Sequence, residues 1–203
     1  MTLRVRVIAL LTILTAACDN GLPTSDTPTG PSATSLRSDA HGMGAMAGMG
    51  MASVAGEFDY LTRMIPHHEE AIAAAHLLQS GTERPEMRSF AATIIDAQSS
   101  EVRQMRAWLA AWYPDRDTRV SYQPMMRDLV GLRDAALDRA FLEDMIPHHM
   151  MAVMMSQQLL ASGLAAQGPL VPFAVNIRDT QRREIQMMSV WLRDWFGAAA
   201  GMH

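Results

Sequence analysis

From Glu57 onward the apolar positions recur every three to four residues, the spacing of one helix face. Tyr60, Met64, His67, Ala71, Ala74 and Leu78 fall on one stripe, Thr62, Glu69 and Ala73 lie opposite, and Gly81 ends the run. Pro66 stands inside this helix, where it removes a hydrogen bond and bends the rod. A helix that starts at Pro66 is the alternative, because proline suits the first helical position. A second helix is predicted from about Arg84 to Trp112, stopped by Tyr113-Pro114. Its stripe is Met87, Phe90, Ile94, Gln98, Glu101, Met105, Trp108 and Trp112. Residues 115–133 read as a connector, with a short helix after Pro124. A third helix is predicted from about Asp134 to Ser162 and a fourth from about Pro169 to Phe196, leaving a small-residue tail from Gly197 to His203.

The pattern occurs twice. Met64-Ile65-Pro66-His67-His68 reappears intact as Met145-Ile146-Pro147-His148-His149, 81 residues later. The second helix repeats at an offset of 83: Phe90, Ile94, Asp96, Gln98, Glu101, Met105, Trp108, Leu109 and Trp112 match Phe173, Ile177, Asp179, Gln181, Glu184, Met188, Trp191, Leu192 and Trp195. Nine identities at one offset are not chance, and the change from 81 to 83 fits a two-residue insertion around Ala165 to Pro169. Two helical hairpins, each apolar on one face, bury those faces against one another. The expected fold is therefore all-α, a four-helix bundle over residues 57–196 built from units 57–114 and 134–196.

The first 56 residues have no such period. Arg4 and Arg6 precede an apolar run from Val7 to Ala17 that closes on Thr15-Ala16-Ala17-Cys18, the layout of an export signal over residues 1–17. Cys18 directly after small residues resembles a bacterial lipobox, so lipidation at Cys18 and an envelope or periplasmic location are expected, with ordinary secretion as the alternative. Thr15 stands where that pattern usually has leucine. Residues 19–40 are rich in Thr, Ser, Pro, Gly and Asp and read as a tether. Residues 41–52 differ: His41, Met43, Met46, Met49 and Met51 alternate with Gly and Ala, a flexible arm that could wrap a soft metal.

Composition narrows the chemistry. The formal net charge of −4 supplies no basic footprint for nucleic acid. A single cysteine excludes a disulfide framework within the chain. Methionine is in excess, 18 against 5 Phe and 3 Tyr, and thioethers serve both as flexible core filler and as ligands for soft ions. Glu101 and Glu184 each interrupt an apolar stripe, where a carboxylate is costly unless paired or metal-bound. A hairpin sets Met64, His67 and His68 opposite Gln98, Glu101 and Met105, so each unit offers imidazole, thioether and carboxylate at one depth. That set suits copper, with Cu(I) favoured by methionine and Cu(II) accessible to histidine; zinc rarely uses thioethers. The alternative is a structural or partner-binding bundle in which His–Glu pairs are core polar contacts without metal. A zincin, a phosphate-binding loop and a reactive cysteine are absent from the sequence, and one inward Glu per unit is too few for a di-iron carboxylate site.

Met-Ile-Pro-His-His followed by Ala71-Ile72, with Ile94-Ile95-x-x-Gln98-x-x-Glu101-Val102-x-x-Met105-x-x-Trp108-Leu109 on the next helix, resembles the bacterial domain-of-unknown-function 305 family. The resemblance covers about residues 57–196. It implies a ferritin-like bundle and, as in some members, an exported protein of copper binding or resistance. Buffering or hand-over of copper without enzymatic turnover is the expected role, with a redox enzyme using the bound metal as a further alternative. The ligands that the resemblance implies are Met64, His67, His68, Glu101 and Met105, then Met145, His148, His149, Glu184 and Met188. Many members carry a further Met seven residues after the first histidine of the pair. Met155 fills that position in the second unit and Ala74 stands there in the first, so the second unit is expected to hold the more complete soft-metal site. Implied partners are the metal ion, a membrane reached only through the lipid anchor, and a copper-handling protein.

Overall fold

The computed structural model describes residues 54–197. The export signal, Cys18, the tether, the arm residues His41, Met43, Met46, Met49 and Met51, and the tail beyond Gly197 lie outside the described residues. Four helices make the fold: α1 Glu57–Gly81, α2 Pro85–Trp112, α3 Asp134–Ala161 and α4 Leu170–Phe196. Among the described residues there is no strand, and no helix is long and apolar enough to cross a membrane. The apolar periodicity thus produces the all-α bundle it predicts.

α1 runs unbroken through Pro66 and α3 through Pro147, so no helix begins at either proline. Each proline forfeits one backbone hydrogen bond. Burial on both sides outweighs that loss, because Met64, Ile65, His67 and His68 are all buried around Pro66. A fully buried Met or Leu side chain contributes roughly 1.5–3 kcal/mol. At the end of α1, Gly81 lies so close to α3 that a Cβ there would sit 2.6 Å from Leu137 Cδ2.

α1 packs on α2, α3 packs on α4, and the two hairpins meet through α1 against α3. On the far side α2 faces α4 through two edge-to-face ring contacts, Phe90–Trp191 at 5.6 Å and Trp108–Phe173 at 4.8 Å. The repeat exchanges these two pairs, so a pseudo-twofold axis runs through the bundle between them. The core divides about that axis. One cluster holds Ala71, Ala74, Leu78, Met87, Phe90, Phe141, Met145 and Met188. The other holds Tyr60, Leu61, Met64, Val102, Met105, Met155, Leu159 and Ile177.

The short helix expected after Pro124 does not form. The amides of Met125 and Met126 donate to Glu70 Oε1 on α1 at 2.8 and 2.9 Å, and the Arg127 amide donates to Asp144 on α3 at 2.8 Å. Carboxylates on two helices thus take the donors that a helix would have turned inward, and the connector lies across α1 and α3 as a strap. At the opposite end Glu57 accepts from the Tyr113 hydroxyl at 3.0 Å and the Gln167 amide at 2.5 Å, tying the start of α1 to the end of α2 and the α3–α4 loop.

Candidate metal centre

Adjacent residues on a helix point about 100° apart, and the two histidines of each pair use that divergence. His67 and His148 turn toward the α1–α3 interface and meet on the pseudo-twofold axis, with ring centroids 3.7 Å apart and planes inclined by 32°. His68 and His149 turn into their own hairpins: His68 Nε2 lies 2.9 Å from Glu101 Oε2 and His149 Nε2 lies 2.7 Å from Glu184 Oε2. All four are buried, at no more than 2% exposure. Both members of each pair therefore face inward, a point on which helix periodicity at the proline is silent.

Glu101 and Glu184 are less buried than an apolar stripe implies, with side chains 14% and 13% exposed. Each sends one oxygen to an imidazole. A carboxylate only accepts, so each ring donates from Nε2 and leaves Nδ1 as its free nitrogen. A carboxylate that holds one ring nitrogen while the other stays free is the usual arrangement behind a metal-ligating histidine.

Glu70 is the carboxylate that the sequence pattern missed. It lies three residues after His67, one helical turn along the same face, which is the signal that could have found it. Its Oε2 comes 3.2 Å from His148 Nε2, close enough for electrostatic attraction but out of line for a hydrogen bond. It also binds the Tyr122 hydroxyl and the two connector amides. Burial raises the Glu70 pKa, yet contacts with His148, Tyr122 and the Met126 amide outweigh it and hold the carboxyl at about 2. Burial pushes His67 well below the usual imidazole range, and the facing His148, His68 and His149 push it further. Burial lowers His148 too, against the opposing pull of Glu70. Both rings on the axis are thus held toward the neutral form, the form that offers a lone pair to a metal.

The layer is rich in unsatisfied donors and acceptors. Both ring nitrogens of His67 and His148, Nδ1 of His68 and His149, and Oε1 of Gln98 and Gln181 are buried without a hydrogen-bond partner. Buried polar groups are normally paired, and an unpaired one costs about 1–3 kcal/mol. Among the described residues no three His, Cys, Asp or Glu side chains converge as a metal site. A site built on the histidines has to draw on sulfur. Met64, Met105, Met145 and Met188 are each 0% exposed and border the histidine layer on its two sides.

One expectation changes with the geometry. Met155, 9% exposed, packs with Met64 and Met105, not with Met145 and Met188. The antiparallel crossing of α1 and α3 carries a residue seven positions past His148 toward the beginning of α1. The extra thioether of the second unit therefore sits beside the methionines of the first.

A model of the family described as Domain of unknown function (DUF305) matches residues 57–170 and again 138–203. CopM in its Cu(I)-bound form is 30% identical with a TM-score of 0.62, over 69% of this chain and 97% of CopM. CopM in its Cu(II)-bound form is 29% identical with a TM-score of 0.61, over 68% and 97%. A DUF305 fragment from Deinococcus radiodurans is 28% identical with a TM-score of 0.59, over 68% and 95%. No curated protein matches the chain.

Proposed function

The chain belongs to the DUF305 family, and from that premise we propose that it is an exported copper-binding protein that buffers copper or hands it over, without enzymatic turnover. The observation that carries the reading is the set of buried imidazole nitrogens without partners, bordered by fully buried methionines. A purely structural core would leave those nitrogens unpaired at a cost; a soft cation turns them into ligands. The copper-bound state of CopM supports the choice of metal.

In this reading Cu(I) is the preferred cargo. His67, His68, His148 and His149 supply nitrogen, and Met64, Met105, Met145, Met155 and Met188 supply sulfur. Glu101 and Glu184 hold the rings of His68 and His149 so that Nδ1 faces the metal. Neutral imidazoles and thioethers leave the charge of a monovalent cation uncompensated, and the carboxylates behind the rings, Glu101, Glu184 and Glu70, offset it. The arm with His41, Met43, Met46, Met49 and Met51 loads the bundle, and Cys18 anchors the chain to an envelope membrane. The experiment is a Cu(I) titration of the purified full-length chain, against a chelator of known affinity, beside a variant with all four histidines changed to Ala and a variant lacking residues 41–52. Loss of tight binding in the histidine variant is expected. Undiminished stoichiometry and affinity there would sink the intrabundle site, and loss only on removal of 41–52 would move the site to the arm.

A further inference from the structure

On the α2–α4 side of the bundle is a crevice lined by Ala97, Gln98, Glu101, Thr180, Gln181 and Glu184, with Ile94 and Ile177 beneath. It lies midway between the two ring contacts that close this interface, Phe90–Trp191 and Trp108–Phe173. Antiparallel pairing of those rings brings Gln98 and Gln181 to the pseudo-twofold axis, with one carboxylate on either side. Glu101 lies opposite Thr180, and Glu184 lies opposite Ala97. The two glutamates are then offset by about four residues along the helices, or roughly 6 Å in that direction, and both line the crevice, where their flexible side chains can reach for one ion.

We infer that this crevice binds one hard divalent cation through oxygen alone, with the carboxylates of Glu101 and Glu184 and the amide oxygens of Gln98 and Gln181 as ligands. Three observations carry it. Gln98 and Gln181 are each 3% exposed, yet their Oε1 atoms have no hydrogen-bond partner. Both side chains line the crevice, so two unsatisfied carbonyl oxygens border the same small space as the carboxylates. Each glutamate commits Oε2 to an imidazole, and Oε1 makes no hydrogen bond among the described residues. Two carboxylates balance the charge of one divalent ion, and carboxylate with carbonyl oxygen is the donor set of Mg, Ca and Mn, not of a soft ion. The i, i+3 spacing of Gln and Glu on each helix sets amide and carboxylate on one face, one turn apart. This site shares Glu101 and Glu184 with the imidazole set, which they hold through Oε2, but it takes no ligand from that set and does not depend on the copper reading.

Mn(II) is the probe, because loss of the aquo-ion paramagnetic resonance signal counts bound ion directly. The metal-free full-length chain is expected to take up one Mn(II) saturably, and Ca(II) or Mg(II) to compete for it. Q98L/Q181L removes both amide oxygens without adding a ligand and should weaken Mn(II) at least tenfold, while Cu(I) uptake in the same variant stays as in the parent. E101Q/E184Q keeps side-chain size and should abolish saturable uptake, with circular dichroism and thermal melting checking that both variants stay folded. Absence of saturable Mn(II) uptake by the parent overturns the proposal, as does equal Mn(II) affinity in parent and both folded variants. Loss of Cu(I) binding alone leaves the oxygen site standing and counts only against the copper reading.

Discussion

The two ends of the bundle are built from repeat-related residues and differ where the repeat has diverged. At one end Tyr60 on α1 shares a 2.9 Å hydrogen bond with Ser156 on α3, and Met64, Met105 and Met155 pack together. At the other, Phe141 and Ala75 occupy the equivalent places in an apolar cluster with Met145, Met188 and Ala74. The axis between them is uneven too. His148 faces Glu70, whereas the residue that repeats Glu70 is Met151, so His67 faces no carboxylate of that kind. Identical Met-Ile-Pro-His-His stretches thus meet different neighbours. A duplicated unit sets where the histidines go, and later substitutions on the facing helix set what each can bind.

The sharpest way to break this comparison is at Glu70. Glu70→Leu removes the acceptor for Tyr122 and for two connector amides at once. Hydrogen bonds to a charged group contribute about 1.5–3 kcal/mol each and are not additive, so a loss of about 3 kcal/mol in urea unfolding is expected. Met151→Leu, the mirror substitution, swaps one flexible apolar side chain for another and should cost less than about 1 kcal/mol. The pH dependence follows with its sign. The Glu70 carboxyl is held at about 2 against an ordinary 4.5. A depressed folded pKa means that its contribution is full above pH 4.5 and is lost as pH falls toward 2. The groups facing it are His148 from α3 and Tyr122 from the connector. Glu70→Gln should flatten the melting temperature across that acid window, and an unchanged slope would remove Glu70 as the cause.

Next in size is the hydroxyl that distinguishes Tyr60 from Phe141. Phe141→Tyr buries an O–H against Ala75 with no partner and should destabilise by about 2 kcal/mol. Adding Ala75→Ser recreates the Tyr60–Ser156 pair at the opposite end and should recover at least half of the loss. A double-mutant cycle in urea reads this directly, and additive losses would show that the two ends are not equivalent in backbone geometry.

Much of this was legible from the chain. Period and repeat together gave four helices, and the stripes of α1 and α2 correctly named Tyr60, Met64, His67, Met87, Ile94 and Met105 as core. What periodicity cannot carry is the register between helices. Glu70 follows His67 by one turn, but it is polar and adjacent to the exposed Glu69, so residue type assigns it to the surface. Its burial depends on the connector folding over it, a long-range event. The same limit applies at Met155: its spacing from His148 is local, but its neighbours are chosen by the antiparallel crossing of α1 and α3. The segment after Pro124 fails as a helix for a related reason, since its amides are taken by Glu70 and Asp144 from outside the segment.

The smallest effect is the one that decides between the ends as metal sites. If the extra thioether matters, Met155→Leu should weaken Cu(I) by about tenfold, or 1.4 kcal/mol, because leucine keeps the volume and removes the sulfur. The affected site would be the one beside Met64 and Met105, since Met155 packs with them. Ala74→Met offers the reverse change, placing a thioether in the cluster of Met145 and Met188. Ala74 is buried there at 7% exposure, so the added bulk costs about 1–3 kcal/mol of stability, and affinity has to be compared at a temperature where the variant stays folded. A gain in Cu(I) affinity from Ala74→Met together with a loss from Met155→Leu would make sulfur count the difference between the ends. Equal affinities in parent and Met155→Leu would leave the histidines as the determinant, with the methionines of both ends acting as packing around them.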